Sequence, residues 1–214
     1  MIASPLFQDL SEAELDTLAA AGHLRTRQFA KHEVIFRAGS CVREIGIVLR
    51  GSVHIENLDL WGTKSILSSV GAGQAFAETY AFCGEALMVD AVAAEHCEIL
   101  FLHTAAFTDA RIEPALQDKL LRRLLAVSMR KNLSLSQRIF CTTPKTVRGR
   151  LLTYFSAQAA RCGRMEFEVP FNRQQMADYL NLDRSALSKE LCKMRDEGLL
   201  EFDKNRFVLK QLPE

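Results

Sequence analysis

Two hydrophobic periods divide the chain. From about residue 24 to 105, apolar positions recur at every second residue in short runs. The stretch "REIGIVLRGSVHIENL" alternates on both sides of Arg50-Gly51, with Ile45, Ile47 and Leu49 on one face and Val53 and Ile55 following. The stretch "HCEILFLHTAAF" predicts a further strand with Ile99 and Phe101 on a common face. Gly39, Gly46, Gly51, Gly62, Gly71 and Gly73 punctuate these runs. Many short strands separated by glycine turns predict a small barrel or sandwich. Ahead of them, Ser11-Glu12-Ala13-Glu14 has the pattern of a capping box opening a short helix.

From about Glu113 to Cys141 the period becomes helical. "EPALQDKLLRRLLAVSMRKNLSLSQRIFC" lacks glycine, and its only proline lies in the first turn. Leu116, Leu120, Leu124 and Val127 form one stripe; Leu121, Leu125, Met129 and Leu133 form the adjoining one. As a continuous helix the segment is about 43 Å long. That apolar face exceeds what one side of a small barrel covers, so part of it is expected to meet a second copy of the chain. The alternative is a helix packed wholly on its own barrel. Lys131, Asn132 and Ser134 interrupt the pattern, so a plain coiled coil is not expected. Thr142-Thr143-Pro144 reads as a stop and a restart, a threonine N-cap followed by proline at the first helical position of the next helix. The domain break is placed near residues 140–144.

The last third contains "RQQMADYLNLDRSALSKEL", beginning at Arg173. Its fifth residue, Ala177, is small enough for two helices to approach closely. Its ninth, Asn181, tolerates a left-handed turn. Met176, Leu180, Leu182 and Leu187 fall where a helix-turn-helix buries its inner face, and Asp183 suits the N-cap of the second helix. Glu190 occupies a position where an apolar residue is usual. With the apolar set inward, Arg184, Ser185, Ser188 and Lys189 share the outer face near the N-terminus of the second helix, the portion that enters a DNA major groove. Arg184 can donate two hydrogen bonds to guanine, and Lys189 can reach a base or a phosphate. Arg173 is placed as a phosphate contact at the start of the first helix. "DEGLLEFDKNRFVLK" then predicts a glycine stop and a two-stranded wing whose tip carries Lys204, a second phosphate contact.

Charge adds a weak signal. Of 27 Lys/Arg and 26 Asp/Glu, 13 and 10 fall within residues 142–214, so the C-terminal third is net basic and the remainder net acidic. No apolar run approaches the roughly 20 residues that span a bilayer. The N-terminus has neither a basic region nor an apolar core of a secretory signal, so a cytoplasmic location is expected. The six cysteines lie far apart without zinc spacing and are expected to be reduced, mostly buried thiols, with a redox-sensing thiol as the alternative. No phosphate-cradling loop, zinc pattern or nucleophile elbow occurs, so an enzyme is not expected.

The whole layout resembles the cAMP-receptor/fumarate-nitrate-regulator (CRP/FNR) family of bacterial transcription factors. The resemblance rests on the Gly39 and Gly51 turns, on "GAGQAFAE" (71–78), on the long helix and, most specifically, on "FNRQQMADYLNLDRSALSKELCKMRDEGLL". It implies an α+β chain: an N-terminal helix and effector-sensing β-roll, like a cyclic-nucleotide-binding jelly roll (1–112), a dimerisation helix (113–141) and a C-terminal winged helix-turn-helix (142–214). The implied partners are double-stranded DNA with a palindromic operator, a second copy of the chain and RNA polymerase, with no membrane. The implied mechanism is a population shift, transmitted through a hinge near Phe140–Pro144.

Three positions depart from the family pattern. Members that bind cyclic AMP carry Gly-Glu and then an Arg-Ser or Arg-Thr that neutralises the phosphate. Here the glutamate is Glu78, the glycine is replaced by Ala77, and the arginine position falls on Met88-Val89. A buried phosphate would lack its counter-charge, so tight cyclic AMP binding is not expected. Many relatives have glutamate after the leading arginine of the recognition helix; here it is Ser185. No cysteine precedes Cys41, which argues against the family's N-terminal iron–sulfur cluster, and no cofactor is expected. The candidate effector pocket is the roll interior near Glu78, Tyr80, Cys83, Met88 and Val89, open to an apolar or aromatic small molecule. Structural alternatives stand beside it: Glu78 as a loop acceptor, Tyr80 and Met88 as core filling, Cys83 as an inert thiol. Two further readings remain: a haem or thiol redox sensor regulating transcription, and a ligand-binding module acting through protein partners.

Overall fold

The computed structural model describes residues 4–58 and 64–210; Gly62 and the last four residues of the 142–214 segment lie outside them. The chain divides into two compact units, Met1–Arg130 and Lys131–Glu214. The first opens with α1 (Glu12–Ala20), where Ser11 Oγ accepts from Glu14 N at 3.2 Å and Ser11 N donates to the Glu14 carboxylate at 2.7 Å, the capping box read from sequence. Strands β1 (Leu24–Phe29), β2 (Val34–Phe36), β3 (Glu44–Arg50), β4 (Ser52–Leu58), β5 (Lys64–Gly71) and β6 (Ala75–Phe76) follow. Then come α2 (Glu78–Cys83), β7 (Asp90–Ala93), β8 (Cys97–His103) and the start of α3 (Pro114–Thr142). The strands form two four-stranded antiparallel sheets, ordered β1-β8-β3-β6 and β2-β7-β4-β5, the expected roll.

β3 and β8 are buried on both faces, which explains their nearly continuous apolar sequence. Ile45, Ile47, Leu100 and Leu102 face an outer layer with Leu18 of α1, Ala81 of α2 and Leu116, Leu120 and Leu124 of α3. Val48, Ile99 and Phe101 face inward, among Phe29, Phe76 and Val53. The alternation therefore changes layer at the Gly51 turn: Leu49 packs outside, whereas Val53 and Ile55 join the interior. Gly51 has φ +78°, and a Cβ there would lie 2.6 Å from the His96 carbonyl oxygen. Gly46 is not a turn residue. It lies inside β3, where a Cβ would sit 2.3 Å from the Phe76 ring, so its missing side chain seats that ring.

On α3, Leu116, Leu120 and Leu124 are buried, whereas Leu121, Leu125 and Met129 are about half exposed and Leu133 is 70% exposed. The predicted restart at Thr143-Pro144 does not occur. The Thr142 and Thr143 hydroxyls turn back to donate to the carbonyls of Arg138 (2.9 Å) and Ile139 (2.8 Å), so they finish α3. The next helix, α4 (Val147–Cys162), is capped instead by Thr146, whose Oγ1 accepts from Gly149 N at 3.0 Å.

The second unit continues with β9 (Glu166–Glu168), α5 (Arg173–Tyr179), α6 (Arg184–Asp196), β10 (Leu200–Asp203) and β11 (Arg206–Leu209). Its three strands pair in the order β10-β11-β9. β9, which the hydrophobic pattern does not predict, is a three-residue strand whose one buried side chain, Phe167, pairs opposite Phe207. Phe155 of α4 packs on Phe207 with ring centroids 4.6 Å apart. Among the described residues, no helix is long and apolar enough to cross a membrane.

The expectation of mostly buried cysteines is overturned. Only Cys97 and Cys141 are buried, and burial pushes both thiols up; Cys41, Cys83, Cys162 and Cys192 are exposed.

Candidate nucleic-acid interface

α5 opens on a second capping box, with reciprocal 2.9 Å bonds between Asn172 and Gln175. Asn181 has φ +52°, the left-handed turn expected from sequence, and Leu182 N donates to Ala177 O at 2.9 Å across it. Asp183 caps α6 by accepting from Ala186 N at 2.9 Å. The Ser185 hydroxyl, then this backbone N–H, hold the Asp183 carboxyl below the usual carboxylate range. Met176, Ala177, Leu180 and Leu187 are fully buried, as are Leu191 and Met194. That inner face sets the outer one: Arg184, Ser185 and Lys189 are exposed, and Ser188 is half-buried. Ser185 spends its proton on Asp183 and offers only lone pairs outward.

Glu190, the anomalous position, has a partner. Arg148 of α4 donates Nε to its carboxylate at 2.6 Å and another nitrogen to Glu197 at 2.7 Å. Hydrogen bonds to Glu197 and then Glu190 hold the Arg148 guanidinium above its ordinary value. An ion pair thus replaces the usual apolar contact between these helices.

Arg173 does not extend freely from the first helix. It is half-buried, with its guanidinium carbon 4.9 Å from the Phe202 ring centre and 5.1 Å from that of Phe207. One terminal nitrogen is buried without a partner, and burial lowers the affinity of the group for its proton. The edge of Arg173 nonetheless reaches an open concavity lined by Asn172, Arg173, Gln174, Arg184, Lys204 and Asn205. Three of the expected contacts, Arg173, Arg184 and Lys204, therefore meet at one place, while Ser185, Ser188 and Lys189 continue along α6. Lys204 sits between β10 and β11 with φ +49°, a left-handed conformation uncommon for a lysine.

Two further residues, with no motif of their own in the sequence, hold the turn between α5 and α6. Arg138 of α3 donates to the carbonyls of Tyr179 and Asp178, each at 3.0 Å. Arg150 of α4 donates to those of Leu180 (3.0 Å) and Asn181 (2.7 Å). Their partners lie 30 residues or more away in sequence, so no local signal marks them.

In the first unit, the five expected effector residues are not gathered in the roll interior. Glu78 is buried at the start of α2, and Tyr80 and Val89 are half-buried. Cys83 is exposed and Met88 is 77% exposed. α2 lies outside the sheets with Ala81 turned to the outer core, and the buried residue beside Met88 is Leu87. The interior is occupied by aromatic rings: Phe36 lies 5.8 Å from Phe76 and 5.7 Å from Phe101, and Phe29 lies 6.1 Å from Phe101. Ala77, in place of the family glycine, keeps a left-handed backbone with φ +62° and ψ +8°.

Comparison with known proteins agrees with this arrangement. A family model described as cyclic nucleotide-binding domain matches residues 26–111, and one described as Crp-like helix-turn-helix domain matches residues 149–214. A search of curated proteins returned no match. Similar solved structures include the catabolite activator protein of Thermus thermophilus, 25% identical over 97% of this chain and 94% of that one, with a TM-score of 0.50. The c-di-GMP responsive global regulator CLP of Xanthomonas campestris is 18% identical over 94% of this chain and all (100%) of that one, TM-score 0.55. OCPA-complexed CprK is 13% identical over 94% and 91%, TM-score 0.64. The last two likenesses concern the fold alone. With a cyclic-nucleotide-type sensor domain followed by a Crp-like helix-turn-helix, the chain belongs to the CRP/FNR family of DNA-binding transcriptional regulators.

Proposed function

We propose that the chain acts as a homodimeric, sequence-specific DNA-binding regulator in the cytoplasm, recognising a palindromic operator and engaging RNA polymerase. The observation that carries this reading is the polar face of α6. Arg184, Ser185 and Lys189 stand outward over a fully buried inner face, beside a concavity shared with Arg173 and Lys204. Arg184 and Lys189 read base edges; Lys204 and the exposed edge of Arg173 hold phosphates. The exposed stripe of Leu121, Leu125 and Met129 supports a second copy of α3 as its cover.

The sensor unit takes a signal other than cyclic AMP. Met88-Val89 replaces the family's phosphate-neutralising arginine, so a bound cyclic phosphate would lack its counter-charge. The apolar residues at the family's arginine position, Met88-Val89, support an apolar or aromatic small molecule as that signal. The neighbours' names point to different ligands, OCPA and c-di-GMP, on one fold. The exposed Cys83 keeps a thiol redox signal as the second reading.

The test is selection of preferred sites from random DNA by the full chain, followed by titration of the selected site. Arg184→Ala is expected to cost about 1–3 kcal/mol of base discrimination, and Lys204→Ala to lower the salt slope by about one. The double variant Leu125→Asp, Met129→Asp is expected to sediment as a monomer and bind the palindrome about a hundredfold more weakly. Undiminished sequence preference in an Arg184→Ala, Lys189→Ala variant would end this reading.

A further inference from the structure

The carbonyls of Asp178, Tyr179, Leu180 and Asn181 close α5 and form the turn into α6. At a helix end such carbonyls lack the usual helical partner, although that of Asp178 also accepts from Asn181 N at 3.4 Å. Here two guanidinium groups take all four. Arg138 covers the first two and also donates to Asn181 Oδ1 at 3.1 Å. Arg150 covers the last two and returns its Nε to Pro144 O at 2.8 Å. Both side chains are half-buried, where hydrogen bonds from a charged donor are stronger than in water.

The geometry has a consequence for motion. Arg138 precedes the connector between α3 and α4, and Arg150 follows it, yet both grip the same turn. The connector is therefore tied at both ends to one object. Thr142 and Thr143, bonded back to Arg138 and Ile139, tighten it further. Resting on the DNA-binding reading above, we propose that Arg138 and Arg150 are positioning residues for DNA recognition. They make residues 138–150 and the 178–182 turn one rigid body. Reorientation of the winged helix then takes place before Arg138, in "KNLSLSQ" (131–137), and not at Phe140–Pro144. That stretch begins where the chain divides into its two units, carries Asn132, Ser134 and Ser136, which are weak helix formers, and exposes nearly all of its side chains.

Hydrogen exchange read by mass spectrometry on the full chain tests the clamp without DNA. Amides of 131–137 are expected to exchange at least about tenfold faster than those of 139–143, which continue the same helix. Arg138→Ala should raise exchange at 178–182 and 139–143 by a similar factor while α4 stays protected. Arg138→Lys, which keeps the charge without the planar fork, should not restore protection. Should Arg138→Ala fail to fold, Arg138→Gln serves for the same comparison. Titrated against the selected DNA site, Arg138→Ala should weaken binding about tenfold with an unchanged salt slope, since the residue is assigned no phosphate. Uniform exchange across 131–143, or undisturbed protection of 178–182 in the variant, overturns the clamp. A salt slope lowered by about one overturns the positioning role and makes Arg138 a DNA contact. A wild-type chain that selects no DNA site overturns the DNA-binding reading, and the exchange data still decide the clamp.

Discussion

Arg148 and Glu190 face each other between α4 and the recognition helix α6 at 2.6 Å, with Glu197 on the other side of the same guanidinium. The pair stands where helix-turn-helix proteins of this type usually bury an apolar side chain. Its geometry links α4 to the helix that carries the proposed DNA contacts. It is also partly open to water, so its value lies in fixing register more than in bulk stability.

The pair is expected to behave non-additively. Arg148→Leu alone strands two carboxylates against an apolar side chain and should lower the melting temperature. Arg148→Leu with Glu190→Leu restores an apolar contact and should recover most of the loss. Thermal unfolding of both single variants and the double completes the cycle; additive effects would show that the two residues do not communicate.

Acid should weaken the fold through a defined group of carboxylates. The Arg148 hydrogen bond holds Glu197 low, the Lys119 hydrogen bond holds Glu14 low, and the Arg111 hydrogen bond holds Asp109 well below the carboxylate range. A carboxyl whose folded value is depressed contributes stability above its unfolded value and loses it as pH falls through the folded one. The melting temperature is therefore expected to hold near neutrality and to fall steadily from about pH 4.5 downward. Arg111→Gln should flatten the most acidic part of that curve, as read by melting at stepwise lower pH.

Ala77 holds a backbone conformation that favours glycine, with φ +62°. Ala77→Gly removes the Cβ strain and is expected to raise stability by about 1 kcal/mol, while Ala77→Val should lower it. Denaturant midpoints of the full chain measure both. The glycine variant should still fail to bind cyclic AMP tightly, because the missing counter-charge lies at Met88-Val89 and not at residue 77.

Tyr154 is 1% exposed, and its hydroxyl is buried without a hydrogen-bond partner. Burial pushes the phenol well above its ordinary value. The ring packs among Phe155, Phe171 and Tyr179, which accounts for an aromatic residue there. Tyr154→Phe is expected to be neutral or to stabilise by about 1 kcal/mol, whereas Tyr154→Ala should cost about 3–5 kcal/mol. A clear loss of stability in the phenylalanine variant would show that the hydroxyl has a role.

Much of this architecture was legible because it depends on local rules. The Ser11–Glu14 capping box, the left-handed Asn181 and the inner face of Met176, Leu180 and Leu187, with Leu182 only partly buried, follow from helix geometry acting over a few residues. The same rules turn Arg184, Ser185 and Lys189 outward, since an inner face once buried determines its opposite. Tertiary structure decided what distance along the chain conceals. Phe76 needs Gly46 because a ring from β6 crosses β3. Arg138 and Arg150 find their carbonyls only after α3, α4 and the α5–α6 turn converge. Arg173 turns toward Phe202 and Phe207 because the wing folds back beside it, and Met88 points outward because Leu87 takes the buried place. Period and capping are properties of neighbours along the chain; which side chain meets which carbonyl or ring is set by packing, and packing joins residues that the sequence keeps far apart.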